Sequence, residues 1–313
     1  MTQVRLMKSV VNPMNISAVI REFLIFCEAQ GLSEDSLRSH KYALRKFFRT
    51  YQGELSDSKN IKASLSIMLQ GVQDAYYNKQ LNAIRKFFDY CKDEGITDSN
   101  PATAFKYRRP TVQIVDHSEE VVKSFLKVID KTTFAGLRDY IFAILILDNG
   151  IRPNEALQLK VEDVNFAAKQ IRVRREYSKT RIERYLPVSL PVLQEMKKLI
   201  AVRPTTWKTD APILCTFDGH KTPARNMQKR FRDYSLMIRE TITPYHLRHL
   251  FGLWFIRNGG DAFSLQKIMG HTKMNMTSVY VNLADADIKK SHEKASPLTN
   301  LMSPKRVRSL TSK

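Results

Sequence analysis

TPYHLRHLFGLWFIRNGG, Thr243 to Gly260, reads as a helix opened by Pro244, a residue tolerated in a first turn because its missing N–H would have no partner there. Tyr245, Arg248 and His249 follow at spacings of three and four, which stacks them on one face. Trp254 falls on the apolar side and belongs to the core. Any further groups that join this cation have to come from elsewhere in the chain.

Downstream, GHTKMNMTSVYVNL, Gly270 to Leu283, sets His271 directly after a glycine and Tyr280 nine residues after that histidine. Upstream, LDNGIRPNEALQLKVEDVNF, Leu147 to Phe166, places Arg152 at a helix start behind a glycine, with Pro153 in the first turn. Glu155, three residues on, is expected to orient neighbours or pair with an arginine. Before this stretch, Leu137 to Leu147 is a mostly apolar helix ended by Asp148-Asn149-Gly150. After it, Ile171 and Val173 alternate with Arg172 and Arg174, as a strand with one wet face would. RIERYLPVS from Arg181 suggests a second strand, so the two form a hairpin whose turn carries Lys179. From Leu190 the chain is mainly helical again.

The first hundred residues are helical throughout. Ile16, Val19, Ile20, Phe23, Leu24 and Cys27 recur at helical spacing until Gly31, and Ser33 is placed to cap the next helix. That second helix carries Leu37, Leu44, Phe47, Phe48 and Tyr51 on its apolar side, while Arg38, Lys41, Arg45 and Arg49 form a basic stripe. LRKFFRTY from Leu44 has a counterpart in IRKFFDYC from Ile84, which marks two similar amphipathic helices in one small bundle. Asp98 to Pro101 breaks the last of these helices, and KYRRPTVQIVDHS from Lys106 looks like an extended linker.

Composition narrows the partners. The 51 Lys and Arg exceed the 31 Asp and Glu, for a formal charge of +20 distributed along a 313-residue chain. Positive charge on a folded body predicts a polyanion, because each neutralised phosphate releases condensed counterions. A stripe like Arg38, Lys41, Arg45 and Arg49 could be a solvated face by itself; within this charge surplus it points to phosphate. No lysine-rich amphipathic anchor, lipidation signal or apolar span suggests a membrane, and the chain is expected in the cytoplasm. Cys27, Cys91 and Cys215 are far apart and lack the spacing of a zinc site, so they are expected as buried thiols with no metal and no cofactor. No phosphate-cradling GxxxxGK loop or dinucleotide fingerprint is present, which argues against nucleotide-driven chemistry.

Taken in order, the Arg152 box, the Lys179 hairpin, LRH on a helix, Gly270-His271 and Tyr280 resemble the tyrosine recombinase family, the phage-integrase-like and Xer-like DNA strand-exchange enzymes. The resemblance runs from about Ile16 to Leu301, and it is softer in the first hundred residues, where it rests on helices ending in Asn100-Pro101. It implies a mainly α fold with a small antiparallel sheet: an N-terminal four-helix DNA-clamping domain over 13–105, a linker over 106–117 and a catalytic domain over 118–295. For the tail, 296–313, it implies docking on a neighbouring protomer through Pro297 to Met302, with simple terminal disorder as the alternative for the last ten residues. The implied function is a site-specific recombinase, a mobile-element integrase in particular. It would act as a homotetramer on duplex DNA bearing a specific site, through a 3′-phosphotyrosyl intermediate and a four-way junction. A nicking-resealing enzyme of topoisomerase IB type and a non-catalytic DNA-binding relative are the alternatives.

The residues suit that chemistry. Phosphoryl transfer gathers negative charge on the non-bridging oxygens, which two guanidinium forks, Arg152 and Arg248, can hold. Tyr280 would be the nucleophile, Lys179 the general acid for the departing 5′-oxygen, and His271 a ligand to the phosphate. One position departs from the family, which usually has a histidine three residues before the second arginine. Here Tyr245 stands there with His246 beside it, and helical geometry puts Tyr245 rather than His246 above Arg248. A phenol is a far poorer base than imidazole, so the proton acceptor is left among Tyr245, His246 and water.

Overall fold

The computed structural model describes residues 16–109, 115–178, 180–207, 210–284, 296 and 298, and the chain divides into two compact units, Met1–Val112 and Gln113–Lys313. Lys179 and nearly all of the C-terminal tail lie outside the described residues.

In the first unit, α1 (Ile16–Ala29) buries Val19, Phe23 and Cys27 at four-residue spacing, so one narrow stripe faces the core. Ser33 caps α2 (Glu34–Thr50) by accepting from the Ser36 amide, and Ala43, Leu44 and Phe47 go inside. With these buried, Arg38, Lys41, Arg45 and Arg49 all emerge on the exposed side. Following α3 (Ser58–Leu69), α4 (Asp74–Asp93) packs on α2, and the two Arg-Lys-Phe-Phe copies meet there. Phe47 stands edge-on to Phe88 at 6.2 Å, and Phe48 edge-on to Phe87 at 5.6 Å. Asn100 then caps a short turn through its side-chain oxygen and ties it to α4 through its amide nitrogen. The start of the following segment is not loose. Asn78 pairs with both backbone groups of Arg108, whose guanidinium lies 3.9 Å from the centre of the Tyr77 ring.

His40 is buried in this unit, stacked on Phe23, with neither ring nitrogen hydrogen-bonded. Burial, and secondarily the charge of Lys86, holds its pKa below the ordinary 6.5. The unfolded chain therefore binds the proton more readily, and the unit should lose stability as pH falls below about 6.5. An NMR titration of the His40 ring with a midpoint at or above that value would contradict this.

The second unit is built on α5 (Glu119–Lys127) and α6 (Phe134–Asn149), whose Phe125 and Phe142 pack against Phe231. Gly150 ends α6 at φ 62°, a conformation that favours glycine, and a Cβ there would collide with Phe251. After the single-turn α7 (Pro153–Ala156) comes an antiparallel sheet in the order β1 (Val164–Asn165), β2 (Gln170–Val173), β3 (Arg184–Pro187). Ile171 faces Leu186 in register, and both are fully buried. Arg172 and Arg174 leave the other face and pair with Asp163. Two features differ from the sequence expectation: β3 starts only at Arg184, and the two-residue β1 is too short to show any periodicity. Helices α8 (Leu190–Ala201), α9 (Ala224–Ile238), α10 (Pro244–Arg257), α11 (Ala262–Met269) and α12 (Asn275–Ala284) complete the unit, with α10 packed on both α6 and α12. All three cysteines are free and buried. Among the described residues no helix is long and apolar enough to cross a membrane.

Candidate active site

The turn that ends α6 delivers Arg152 as the N-cap of α7, with Pro153 setting the first helical dihedral. Its Nη1 donates to Glu155 Oε1 at 3.0 Å and its Nη2 to the Gly270 carbonyl at 2.7 Å. Glu155, almost wholly buried, also receives Arg184 from β3, through Nη1 at 3.2 Å and Nη2 at 2.5 Å. Arg184 Nε in turn donates to the Ile268 carbonyl at 3.3 Å. One carboxylate thus holds two guanidinium groups, which reach on to the end of α11 and to the turn after it that carries His271.

Arg248 enters this turn from α10. Thr243 caps α10 by accepting from the His246 amide, and the buried Leu247, Leu250 and Phe251 fix the helix so that Arg248 points inward. Its Nη1 donates to the Gly150 carbonyl and its Nη2 to the Met269 carbonyl at 2.9 Å. The same Nη2 lies 3.2 Å from His271 Nε2, which must be the acceptor because arginine has no lone pair to offer. His271 Nδ1 is then the protonated nitrogen and donates to Thr277 Oγ1 at 2.9 Å.

Tyr280 closes the constellation. Its ring lies nearly parallel to His271, 11° between planes and 6.3 Å between centroids, and its hydroxyl is 2.8 Å from His249 Nδ1. The seat is made by Gly252, where a Cβ would come within 2.8 Å of the Tyr280 ring. Only 3% of Tyr280 is exposed, so in the DNA-free chain the phenol is covered.

Electrostatics follow from three cations and one carboxylate held together away from water. Burial, then the neighbouring Arg152, lowers Arg248 to about 10. Burial, then Arg248 and Arg152, lowers His271 to about 4, so its ring is neutral at physiological pH. Glu155 stays ionised because Arg184 and Arg152 outweigh the desolvation that pushes its pKa upward. Burial raises Tyr280, against the pull of Arg248. The pocket has surplus positive charge, and an anion would relieve it.

Of the residues that the family resemblance singles out, Arg152, Arg248 and His271 are linked by hydrogen bonds around the Met269–His271 segment, and Tyr280 stacks its ring on His271 while its hydroxyl bonds His249. Tyr245 does not join them: the side chain is 51% exposed at the start of α10 and, among the described residues, bonds to none of these groups. His246 is also turned elsewhere, with Nδ1 on the Thr241 carbonyl at 3.0 Å and its ring against His117. Arg38, Lys41, Arg45 and Arg49 lie in the other unit, with Arg38 loosely paired to Asp35 on an exposed surface. Arg184, Thr277 and Gly252 were not foreseen. Arg184 gave no signal, since its partner Glu155 is 29 residues away in sequence.

Similarity to known proteins bears on the family and the fold. Residues 117–287 match the phage integrase family. Tyrosine recombinase XerA of Pyrococcus furiosus is 27% identical over 294 residues, covering 91% of this chain and 96% of that protein. Tyrosine recombinase XerD of Staphylococcus epidermidis is 26% identical over 302 residues, covering 90% and 99%. Two solved structures share the fold. A lambda integrase dimer bound to a COC′ core site superposes with TM-score 0.70 at 15% identity, covering 88% of this chain and 96% of that one. The Tn1549 transposon integrase with transposon right end DNA superposes with TM-score 0.67 at 19% identity, covering 89% and 99%. With more than half of its length matched by the family, and with relatives named tyrosine recombinases along nine-tenths of it, the chain belongs to the phage integrase family of tyrosine recombinases.

Proposed function

We propose that this recombinase cuts and rejoins DNA at specific sites by attack of Tyr280 on a phosphodiester held by Arg152, Arg248 and His271. Support comes above all from one observation: residues up to 128 positions apart in sequence converge on a buried, positively charged pocket beside a tyrosine hydroxyl. A phosphate entering there is forked by the two guanidinium groups. Its charge also raises the pKa of His271 again, so that Nε2 can carry a proton and donate to a non-bridging oxygen.

The chemical step balances without metal or nucleotide. The phenolic oxygen forms a bond to phosphorus as the bond to O5′ breaks, the phenol loses its proton to a base, and Lys179 protonates the departing O5′. The 3′-phosphotyrosyl ester keeps the energy of the broken bond, and the 5′-hydroxyl of a second duplex reverses the step. Exchange requires two duplexes held in near-attack geometry, which a homotetramer on a four-way junction provides. The exposed row Arg38, Lys41, Arg45 and Arg49 supplies backbone contacts from the N-terminal unit, taken as a clamp over 13–105 joined through 106–117 to the catalytic domain over 118–295. The tail, 296–313, docks on the next protomer, and the enzyme works in the cytoplasm where its DNA is. Because Tyr280 is covered in the free chain, DNA binding has to uncover the oxygen before phosphorus can come within reach of it.

Incubation with a nicked cognate half-site tests this on a denaturing gel. The wild-type chain is expected to form a covalent protein–DNA band and Tyr280→Phe none. An equal band from the variant would transfer the attack to another residue.

A further inference from the structure

Attack by a phenol at neutral pH requires a base at its oxygen, since a tyrosine with an ordinary pKa of about 10 is almost wholly protonated. Family resemblance locates an imidazole three residues before the second arginine, but this chain has Tyr245 there, and the structure turns that side chain to solvent. The base has to present a lone pair to the phenol itself. His246 donates Nδ1–H to the Thr241 carbonyl, an atom that can only accept, its ring faces His117, and the lone pair left on Nε2 is not hydrogen-bonded to Tyr280. His271 offers its lone pair on Nε2 to Arg248 and its proton on Nδ1 to Thr277. His249 is different. Its Nδ1 is 2.8 Å from the Tyr280 hydroxyl, and the phenol, the more acidic partner, donates to it.

We propose that His249 is the proton acceptor for Tyr280 in this protein, and that it replaces the imidazole missing at position 245. This rests on Tyr280 being the nucleophile. Two structural facts set the pair in register. His249 directly follows Arg248 on α10, so the base and one arm of the phosphate fork sit on a single rigid element. Gly252, one turn further along the same face, leaves room for the tyrosine ring, and any Cβ there would push the ring off the helix. During cleavage the phenolic proton moves to Nδ1 as the oxygen bonds to phosphorus, leaving an imidazolium. During rejoining that imidazolium returns the proton to the phenolate as the 5′-hydroxyl displaces it and gives its own proton to the neutral Lys179 amine, so both groups are restored at each cycle. Burial, then the charge of Arg248 and the neighbouring His246, lowers the pKa of His249, which keeps the ring neutral and able to accept a proton at pH 7.

The test measures single-turnover adduct formation on the nicked half-site across pH for the wild type, His249→Ala and His249→Asn. Asparagine leaves an oxygen near the position of Nδ1, so it keeps an acceptor for the phenol but cannot take the proton. Both variants are expected to be slower by about 10²–10⁴-fold at neutral pH, with the deficit shrinking as pH rises toward the ionisation of the phenol. Added imidazole should restore part of the rate of His249→Ala. Wild-type rates in His249→Asn would reduce the contact to a structural hydrogen bond and overturn the proposal. A faster His249→Ala would overturn it too, by making the bond a lock on the resting tyrosine, as would a deficit equal at every pH. The Tyr280→Phe control keeps the nucleophile assignment separate from all these outcomes.

Discussion

Arg248→Lys is expected to lower covalent adduct formation by about 10²–10³-fold, the range for loss of one well-placed donor to a transition-state oxyanion. The charge survives this change, but the geometry does not. Arg248 spans the Gly150 carbonyl, the Met269 carbonyl and His271 Nε2 with one rigid plane, whereas a lysine ammonium is a single point on a flexible stem. Lysine would therefore also let go of the loop that presents His271. Among the described residues no carboxylate pairs directly with Arg248, and burial lowers its pKa to about 10, so its charge is best satisfied when phosphate arrives. Binding to the same DNA, measured at fixed salt, should change only a few-fold, because most of that affinity comes from backbone contacts spread over a basic surface. Cleavage within tenfold of wild type would show that the fork is not needed for the chemical step.

The largest effect on stability is expected at Glu155. Replacing it with leucine leaves the side chains of Arg152 and Arg184 in a mostly buried site with their shared counter-ion gone, a loss of about 3–5 kcal/mol for a broken buried pair. Denaturant unfolding of the variant measures this directly, and a change under about 1 kcal/mol, the worth of a surface pair, would contradict it. Acid provides a second measurement. The folded pKa of Glu155 lies below its ordinary 4.5, so its contribution is complete above that value and is lost as pH falls through the folded pKa. Glu155→Leu should remove that part of the acid sensitivity. Adduct formation should fall as well, because Arg152 loses the contact that aims it.

Much of this architecture is legible without coordinates. Helical spacing alone separates the buried side of α2 from the row Arg38, Lys41, Arg45 and Arg49, since a period of 3.6 sorts residues by face wherever one face meets a core. The alternation of Ile171 and Val173 with Arg172 and Arg174 marks a half-buried strand for the same reason, at period two. The order of the arginine, histidine and tyrosine boxes points to the family because cations suit the charge of a phosphate and, on the proposed reading, a phenol suits attack on its phosphorus. Those features depend on local periodicity or on chemistry, and both are written along the chain.

Periodicity tells which residues share a face, but not what comes to lie against that face. Tyr245 and Arg248 sit three apart on α10, yet one ends in solvent and the other under the loop that carries His271. The pairing of Glu155 with Arg184 across 29 residues, and of His249 with Tyr280 across 31, arises only when β3, α7, α10 and α12 pack together. The covering of the Tyr280 phenol is of the same kind: it depends on Gly252 leaving a gap in a helix that another helix happens to fill. Such contacts are decided by packing between distant segments, so only the folded chain could set His249 against Tyr280 and Glu155 between its two arginines.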